Sequence, residues 1–584
     1  MTIEGYIRKR PDTGYWEAQI HAGIEFRKKF AYEQEWDKWR AFYRGNWTPG
    51  IMPLNLFYMF LRSIVPRVYF RDPTVSISPA KPGAENLLFA RLLERVDNKM
   101  IKRMKFKQQM KGVVQDTFLL GTGVPKLGFG GFYSPTILED EPGAPLTSEG
   151  VAVEYFNEAE DFMPWVSRVP PGNFVVPAGI TSFEHARWVV EEFQRPLDEV
   201  QRDPRLTNTA GLQGSENRAA TTTIDLGNIN RPVKMVKLFE IRDKATGKVF
   251  VYAPDHSKED KILFFGDDRF LLSYGGFPYF PTIFNDDDEA FWGLPDSKIL
   301  EPLQLEINEI KTQIMRHRRI ALVKFLIKKK GMKKEEAERL VSEDVGVVAW
   351  VEGQGDIDNI VKEFSASIPP ELFVSADVLM QDVREQIGFS RNQFGEFNSR
   401  SGDTTATEAN IVKQATEIRI DERRDVIADR VVDIVEMMHG VIFDNWGEEQ
   451  IVDVIGPGGV PIWIRVRGEL LKRGKFSVKV DPDSSIPETK GLREQRAVQL
   501  FQFLRTNPLI DPIKLTQYLM TELKGPAFDD MMQMLPQPGV QPDKPIEVND
   551  FAELMQNSIG QLQQIKGPTQ PAQQATPPQG NGAI

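Results

Sequence analysis

The sequence predicts an α+β fold, and three patterns carry that expectation. Leu300, Leu303, Ile307, Ile310 and Ile314 recur at alternating steps of three and four, which lays one apolar stripe along a helix. A second helical pattern, about Glu371 to Ile387, follows a short strand-bearing stretch, and a third runs from Thr405 to Asn445. Ahead of them, Val233 to Arg242 and Lys248 to Ala253 read as strands, joined by the hairpin signal Asp243-Lys244-Ala245-Thr246-Gly247.

The totals bound the function. A length of 584 residues allows several domains, and 41% hydrophobic content supplies a large core. With no cysteine, disulfides, thiolate metal sites and a cysteine nucleophile are excluded. A net charge of −11 argues against coating DNA by bulk charge but leaves room for a local basic patch. Charged residues follow Met1-Thr2-Ile3-Glu4-Gly5-Tyr6, so no secretory signal is expected. The most apolar run, Ile51 to Phe70, is interrupted by Pro53, Arg62, Pro66 and Arg67. A membrane-spanning helix needs about 20 mostly apolar residues, so the run is expected to be a buried helix.

Taken in order, residues 26–47 carry Phe26, Phe30, Trp36, Trp39, Phe42, Tyr43 and Trp47, with Trp36, Trp39 and Tyr43 on one helical face. Packing on the chain's own domain is the favoured reading, an anchor in a subunit interface the alternative. Ile51 to Val65 reads as a helix ended by Pro66, Thr74 to Ser78 as a strand, and Ala84 to Phe118 as one helix. That helix carries six Lys or Arg and no acid between Lys99 and Lys111. A solvated face is favoured over contact with an acidic partner or nucleic acid. Leu119 to Gly128 is a glycine-punctuated turn into a strand, and a G-x-x-x-x-G-K-[ST] phosphate loop is absent throughout. Residues 134–230 look irregular, while Lys261 to Phe265 and Arg269 to Tyr274 read as strands.

On the first long helix, Gln304, Asn308, Lys311, Met315 and Arg318 form a stripe beside the apolar one. From Ile310 to Lys334 there are ten Lys or Arg and no acid. This stretch includes Lys311, Arg316, Arg318, Arg319, Lys324, Lys328, Lys329 and Lys330, a candidate surface for an anionic partner. Ala321 to Ile327 and Val345 to Val351 are strand-like, and a polar Gly/Asn/Ser loop spans Arg391 to Thr404. Thr405-Ala406-Thr407-Glu408 fits a capping box at the start of the longest helix. Its apolar stripes are Ile411, Ala415, Ile418 and then Ile427, Val431, Ile434, Met438, Val441. The charged run Arg419 to Asp425 between them predicts a bend or an exposed middle. Ile462 to Val466 and Lys475 to Val480 read as strands, Arg493 to Leu504 and Ile513 to Leu523 as short helices. From about Pro536 the Pro/Gln/Gly-rich tail is expected to stay unpacked.

Catalytic signatures are missing. The five histidines show no H-E-x-x-H, and no G-x-S-x-G elbow occurs. Asn285-Asp286-Asp287-Asp288-Glu289 is the sharpest acidic cluster but lacks the alternation and glycine of a calcium loop. A solvated acidic loop is favoured; the alternative is a metal-dependent phosphodiesterase using residues 286–289.

The order of these parts resembles the portal protein of tailed bacteriophages, the head-to-tail connector family, over roughly Ala41 to Leu523. Leu119 to Gly128 is similar to the L-x-G-T-G-x-x-K-x-G segment of portals. Asn285, Phe291-Trp292-Gly293-Leu294-Pro295-Asp296-Ser297 and Gln304 to Asn308 resemble the approach to a first stem helix. The resemblance implies a mixed α/β N-terminal wing (1–290), a first stem helix (291–320), a small α/β clip (321–370) and a second stem helix (371–390). It further implies a tunnel loop (391–404), a long kinked helix (405–446), strands returning to the wing (447–490), a helical crown (491–535) and the disordered tail (536–584). The implied function is a non-enzymatic ring, usually of twelve subunits, at one capsid vertex. Double-stranded DNA is packaged and ejected through its axis, and capsid protein, terminase and tail adaptors dock on it. A virion component assembled in the host bacterial cytoplasm is implied, with no cofactor and no membrane. Arg391, Asn392, Asn398, Arg400, Ser401 and Thr404 would line the channel. Leu300, Leu303, Ile307, Ile310 and Ile314 would serve packing between subunits or within one; the sequence leaves both open.

Overall fold

The computed structural model describes residues 11–69, 72–80, 84–129, 164–216, 234–320, 370–387 and 406–446, with shorter pieces between and after them. Helix α1 (Thr13–Phe30) starts at Asp12, whose carboxylate accepts the Gly14 N–H. Helix α2 (Trp36–Arg44) ends at Gly45 in the left-handed region, φ 77°. Helix α3 (Leu56–Val68) starts later than the apolar run suggests, because the Asn55 side chain caps it by accepting the Tyr58 N–H. Pro66 does not stop it but sits in its last turn, and Tyr69 N–H still reaches Val65 O at 2.9 Å. After strand β1 (Val75–Pro79), the single helix expected over Ala84 to Phe118 is two, α4 (Ala84–Arg103) and α5 (Phe106–Leu120). They separate at Lys105, φ 52°, a break that no glycine or proline announces.

Within the stretch expected to be irregular, the described residues 164–216 are more regular than that reading. Strand β2 (Thr122–Phe129) pairs antiparallel with β3 (Pro164–Val169), Val124 opposite Val169. Strands β4 (Phe174–Val175), β5 (Trp188–Pro196), β6 (Lys234–Asp243), β7 (Lys248–Tyr252) and β8 (Ile262–Asp267) form a second sheet in the order β8-β7-β6-β5-β4, with Ser215–Glu216 also beside β6. The hairpin is where the turn signal puts it, Asp243 opposite Lys248. Alternation along these strands fills two faces. Phe239, Ile241, Phe250 and Tyr252 pack under Trp16 and Ile20 of α1, and Val236, Leu238 and Val251 pack with Val200 of α6 (Leu197–Arg202). Arg269 to Tyr274 is not a strand but helix α7 (Arg269–Ser273), because Asp268 caps it through the Phe270 N–H at 3.0 Å. Strand β9 (Thr282–Ile283) adds to β2.

Helix α8 (Asp296–Ile320) leads to strand β10 (Lys324–Ile327), which pairs antiparallel with β11 (Val361–Phe364) ahead of helix α9 (Glu371–Ile387). Strand β11 was not anticipated, and the expected strand Val345 to Val351 lies outside the described residues. Helix α10 (Ala406–Asn445) runs for 40 residues, and its stripe Ile427, Val431, Ile434, Met438, Val441 is buried. Its charged middle neither interrupts the helix nor lies wholly in solvent. Arg424 is buried and donates to Arg67 O at 2.8 Å, whereas Asp421, Glu422 and Asp425 are exposed. The side chains of Ile411, Ala415, Ile418 and the capping box lie outside the described residues. Strands β12 (Gln450–Ile455) and β13 (Pro461–Val466) pair antiparallel. The unpacked-tail expectation is corrected at Ile546–Glu547, which pairs in parallel with Ile464 and Arg465. Strand β14 (Phe476–Val480) returns to β1, Val75 opposite Val480, before helix α11 (Lys490–Leu504). One core joins α2 and α3 to α8, α9 and α10, with Trp36, Trp39 and Phe42 inside it, so the aromatic N-terminus packs on its own domain.

Candidate functional site

The helix pair α8–α9 is aimed by a joint between two glycines. Gly121 closes α5 at φ 87°, and a Cβ there would lie 2.1 Å from Gly293 O. A Cβ on Gly293 would lie 2.7 Å from Gly121 O. Gly293 N–H donates to Thr122 Oγ1 at 3.2 Å, and Asn285 Nδ2 donates to Leu294 O at 3.0 Å. Thus the glycines serve close backbone approach as well as the expected turn. Three residues after Gly293, Asp296 opens α8 and accepts from Arg423 of α10 at 2.7 Å, an acid at the positive end of a helix.

Along α8, the stripe beside the apolar one is not a solvent face in its upper half. Gln304, Asn308 and Thr312 are buried and replace a strand partner for the segment before α3. Leu56 N–H donates to Gln304 Oε1 at 2.7 Å, Leu54 N–H to Asn308 Oδ1 at 3.0 Å, and Met52 N–H to Thr312 Oγ1 at 3.0 Å. Gln304 Nε2 returns a bond to Leu54 O at 2.7 Å. Gln304→Leu therefore orphans a buried N–H and a half-buried C=O, and is expected to cost about 1–3 kcal/mol. Gln313→Leu on the outer side should stay within about 0.5 kcal/mol. Thermal midpoints of the two variants check this, and equal midpoints would remove the ladder's role.

Leu300, Ile307 and Ile310 are buried in the chain's own core, with Leu303 and Ile314 partly buried against it. For the buried three, this places packing within the subunit, one of the two alternatives left open. Ala376 and Val383 of α9 enter the same core. Arg316 and Arg318 are exposed and Lys311 half-buried. The side chains of Arg319 and Lys324, and all of Lys328, Lys329 and Lys330, lie outside the described residues. So do Arg391, Asn392, Asn398, Arg400, Ser401 and Thr404. In the acidic cluster Asp286, Asp288 and Glu289 are exposed, and Asp287 Oδ1 accepts the Glu289 N–H at 3.0 Å. Among the described residues no group of ligating side chains converges as a metal site. No described helix is long and apolar enough to cross a membrane.

Sequence reading missed the buried charges. Lys126, in the glycine-punctuated segment, donates to Glu191 at 2.5 Å and Glu240 at 3.1 Å, joining β2 to the larger sheet. Arg242 bridges Glu240 and Asp268, and Tyr279 O–H donates to Glu191 at 2.8 Å. Burial opposes ionisation of Glu240, but Lys126 and Arg242 outweigh it and hold its carboxyl well below the usual range. Burial beside Glu191 and Glu240 pushes the Tyr279 hydroxyl up. In α10, His439 Nε2 lies 2.7 Å from Asp97 Oδ2, tying α4 to the long helix. Burial raises the Asp97 carboxyl despite that imidazole. The single lysine in an otherwise apolar strand was the one available signal for the network.

Compared with known families, residues 262–580 match the one described as phage P22-like portal protein, a span from β8 through both paired helices and α10 to the C-terminal region. Among curated proteins no match was found. The match covers more than half of the chain and includes the helix pair, its strand-bearing insert and the long helix, so the chain belongs to the P22-like portal protein family of tailed phages.

Proposed function

We propose that the chain forms a closed ring, of about twelve copies as the family resemblance implies, at one vertex of the capsid, with double-stranded DNA passing along its axis during packaging and ejection. The observation that carries this reading is the family match over α8, the β10–β11 insert, α9 and α10. In this reading residues 1–290 form a wing, α8 and α9 a stem, 321–370 a clip that docks terminase and later tail adaptors, and 491–535 a crown. The protein is a structural component of the virion, and its work is geometric: it holds a hole open. An acidic chain suits that task, because affinity for phosphates rises with each cation that contacts them. Negative-stain microscopy of the purified full-length chain tests the reading. Rings with a central hole are expected, and monomers alone would overturn it. Nothing supports the phosphodiesterase alternative, since the 286–289 carboxylates do not converge.

Residues 391–404 supply the channel constriction in this reading. Arg391 and Arg400 balance Glu396 and Asp403, so the loop carries no net charge and touches DNA without gripping it. Deleting Asn398 to Asp403 is expected to leave rings intact and to lower genome content per particle. Loss of rings would make the loop structural, and unchanged genome content would remove it from the channel.

A further inference from the structure

Helix α4 sorts its charges by sign. Along the sequence, Arg91, Arg95, Lys99 and Lys102 alternate with Glu94 and Asp97. The two acids are used inside. Asp97 is buried, its Oδ2 2.7 Å from His439 Nε2, and Glu94 is half-buried and accepts the Ile77 N–H at 3.1 Å. Asn98 is taken up by strand β1, accepting the Val75 N–H at 3.2 Å and donating to Val75 O at 2.9 Å. The four cations stay exposed. At 3.6 residues per turn, Arg91, Arg95 and Lys102 fall within about 40° of one another, opposite the buried Leu93, and Lys99 flanks them. At 1.5 Å per residue this stripe is about 16 Å long. Among the described residues no ion pair or hydrogen bond engages the side chains of Arg91, Arg95 or Lys102. Just past the helix end, Lys105 is exposed as well.

A row of cations with no carboxylate on its face attracts an anion. The rest of that face decides which kind. Among the described residues of α4 no large apolar side chain is exposed. A protein partner is held by an apolar, aromatic-rich centre, which this face lacks. Phosphate oxygens are held by Arg and Lys side chains and need no apolar contact. We propose that the outer face of α4 is a contact for the phosphate backbone of double-stranded DNA, made without regard to base sequence. The net charge of −11 confines such a contact to a local stripe of this kind. That the polyanion is DNA rests on the portal reading above. The stripe itself does not depend on ring closure, and it is separate from residues 391–404, which carry no surplus of cations.

Fluorescence anisotropy of the full-length chain with a labelled linear duplex, over a range of salt, tests it. Arg91→Gln, Arg95→Gln and Lys102→Gln together are expected to weaken binding. The slope of log affinity against log salt should become shallower by about 2.7, since each phosphate contact contributes about 0.9. A control triple, Lys28→Gln, Arg44→Gln and Lys258→Gln, removes the same charge from exposed positions outside α4 and should keep the wild-type slope. Arg91→Lys with Arg95→Lys should keep binding. All these side chains are exposed, so thermal midpoints and ring counts in mass photometry should stay at wild type. Equal losses in the two triples would make the effect one of bulk charge and overturn the stripe, as would a wild-type chain that does not bind the duplex. A stripe variant that loses rings, whatever its affinity, would assign the face to a neighbouring copy and overturn the DNA contact. A chain that never forms rings, yet loses DNA in the stripe triple alone, overturns the ring reading and leaves the contact standing.

Discussion

Lys126→Met is expected to destabilise the chain by about 3 kcal/mol, because it leaves three carboxylates facing one arginine in a poorly solvated site. In the native network two cations, Lys126 and Arg242, meet Glu191, Glu240 and Asp268, whose side chains are 16%, 18% and 1% exposed. Methionine matches the length of lysine, so little packing is lost. A loss of that size lowers the thermal midpoint of a domain of this scale by roughly 6–12 °C. The pH dependence separates charge from packing. Glu240 is held below its usual value, so its contribution is present above the unfolded value and disappears as pH falls toward about 2. Without Lys126, which helps to hold it down, Glu240 should take up its proton at a higher pH. The gap between variant and wild type should therefore narrow as pH falls from neutral toward the ordinary carboxylate range. A gap that is constant with pH would mean that packing was lost, and no gap would mean that the network contributes nothing.

That network also shows which parts of the fold were legible. The α8 stripe from Leu300 to Ile314 and the α10 stripe from Ile427 to Val441 were readable, because burial on one side of a helix imposes its period on the sequence. The β6–β7 hairpin was readable because its turn is local. Pairings between distant segments leave no such trace. Gln304 bonds to Leu56 across 248 positions and Lys126 to Glu240 across 114, so neither residue's neighbours hint at its partner. Gln304 in particular sits on a polar stripe that looks solvated, and only the backbone of Leu54 and Leu56 gives it a buried task. Strand β5 was hidden because Trp188, Val189 and Val190 are buried in succession, which erases alternation.

Gly121→Ala is expected to cost about 2–5 kcal/mol, the sum of a left-handed backbone and an overpacked contact. The backbone term alone can be measured elsewhere in the chain. Gly179 has φ 80° and Gly275 φ 80°, and a Cβ at either meets nothing within 4 Å. Alanine at those two positions should therefore cost only the conformational part, about 1–2 kcal/mol. At Gly121 the added carbon would sit 2.1 Å from Gly293 O and 3.1 Å from Pro295 N, both backbone atoms that no rotamer change can move. Relief requires the turn after α5 to part from the loop ahead of α8, which breaks the Gly293 N–H to Thr122 bond and re-aims α8 at its root. Gly293→Ala should act alike, because its Cβ would meet Ile283 at 2.3 Å and Gly121 O at 2.7 Å. Urea midpoints should then fall further for Gly121→Ala and Gly293→Ala than for Gly179→Ala, and soluble Gly121→Ala protein should form fewer rings. If Gly121→Ala matches Gly179→Ala in midpoint and ring count, the two glycines do not set the direction of the helix, and Asp296 with Arg423 must do so alone.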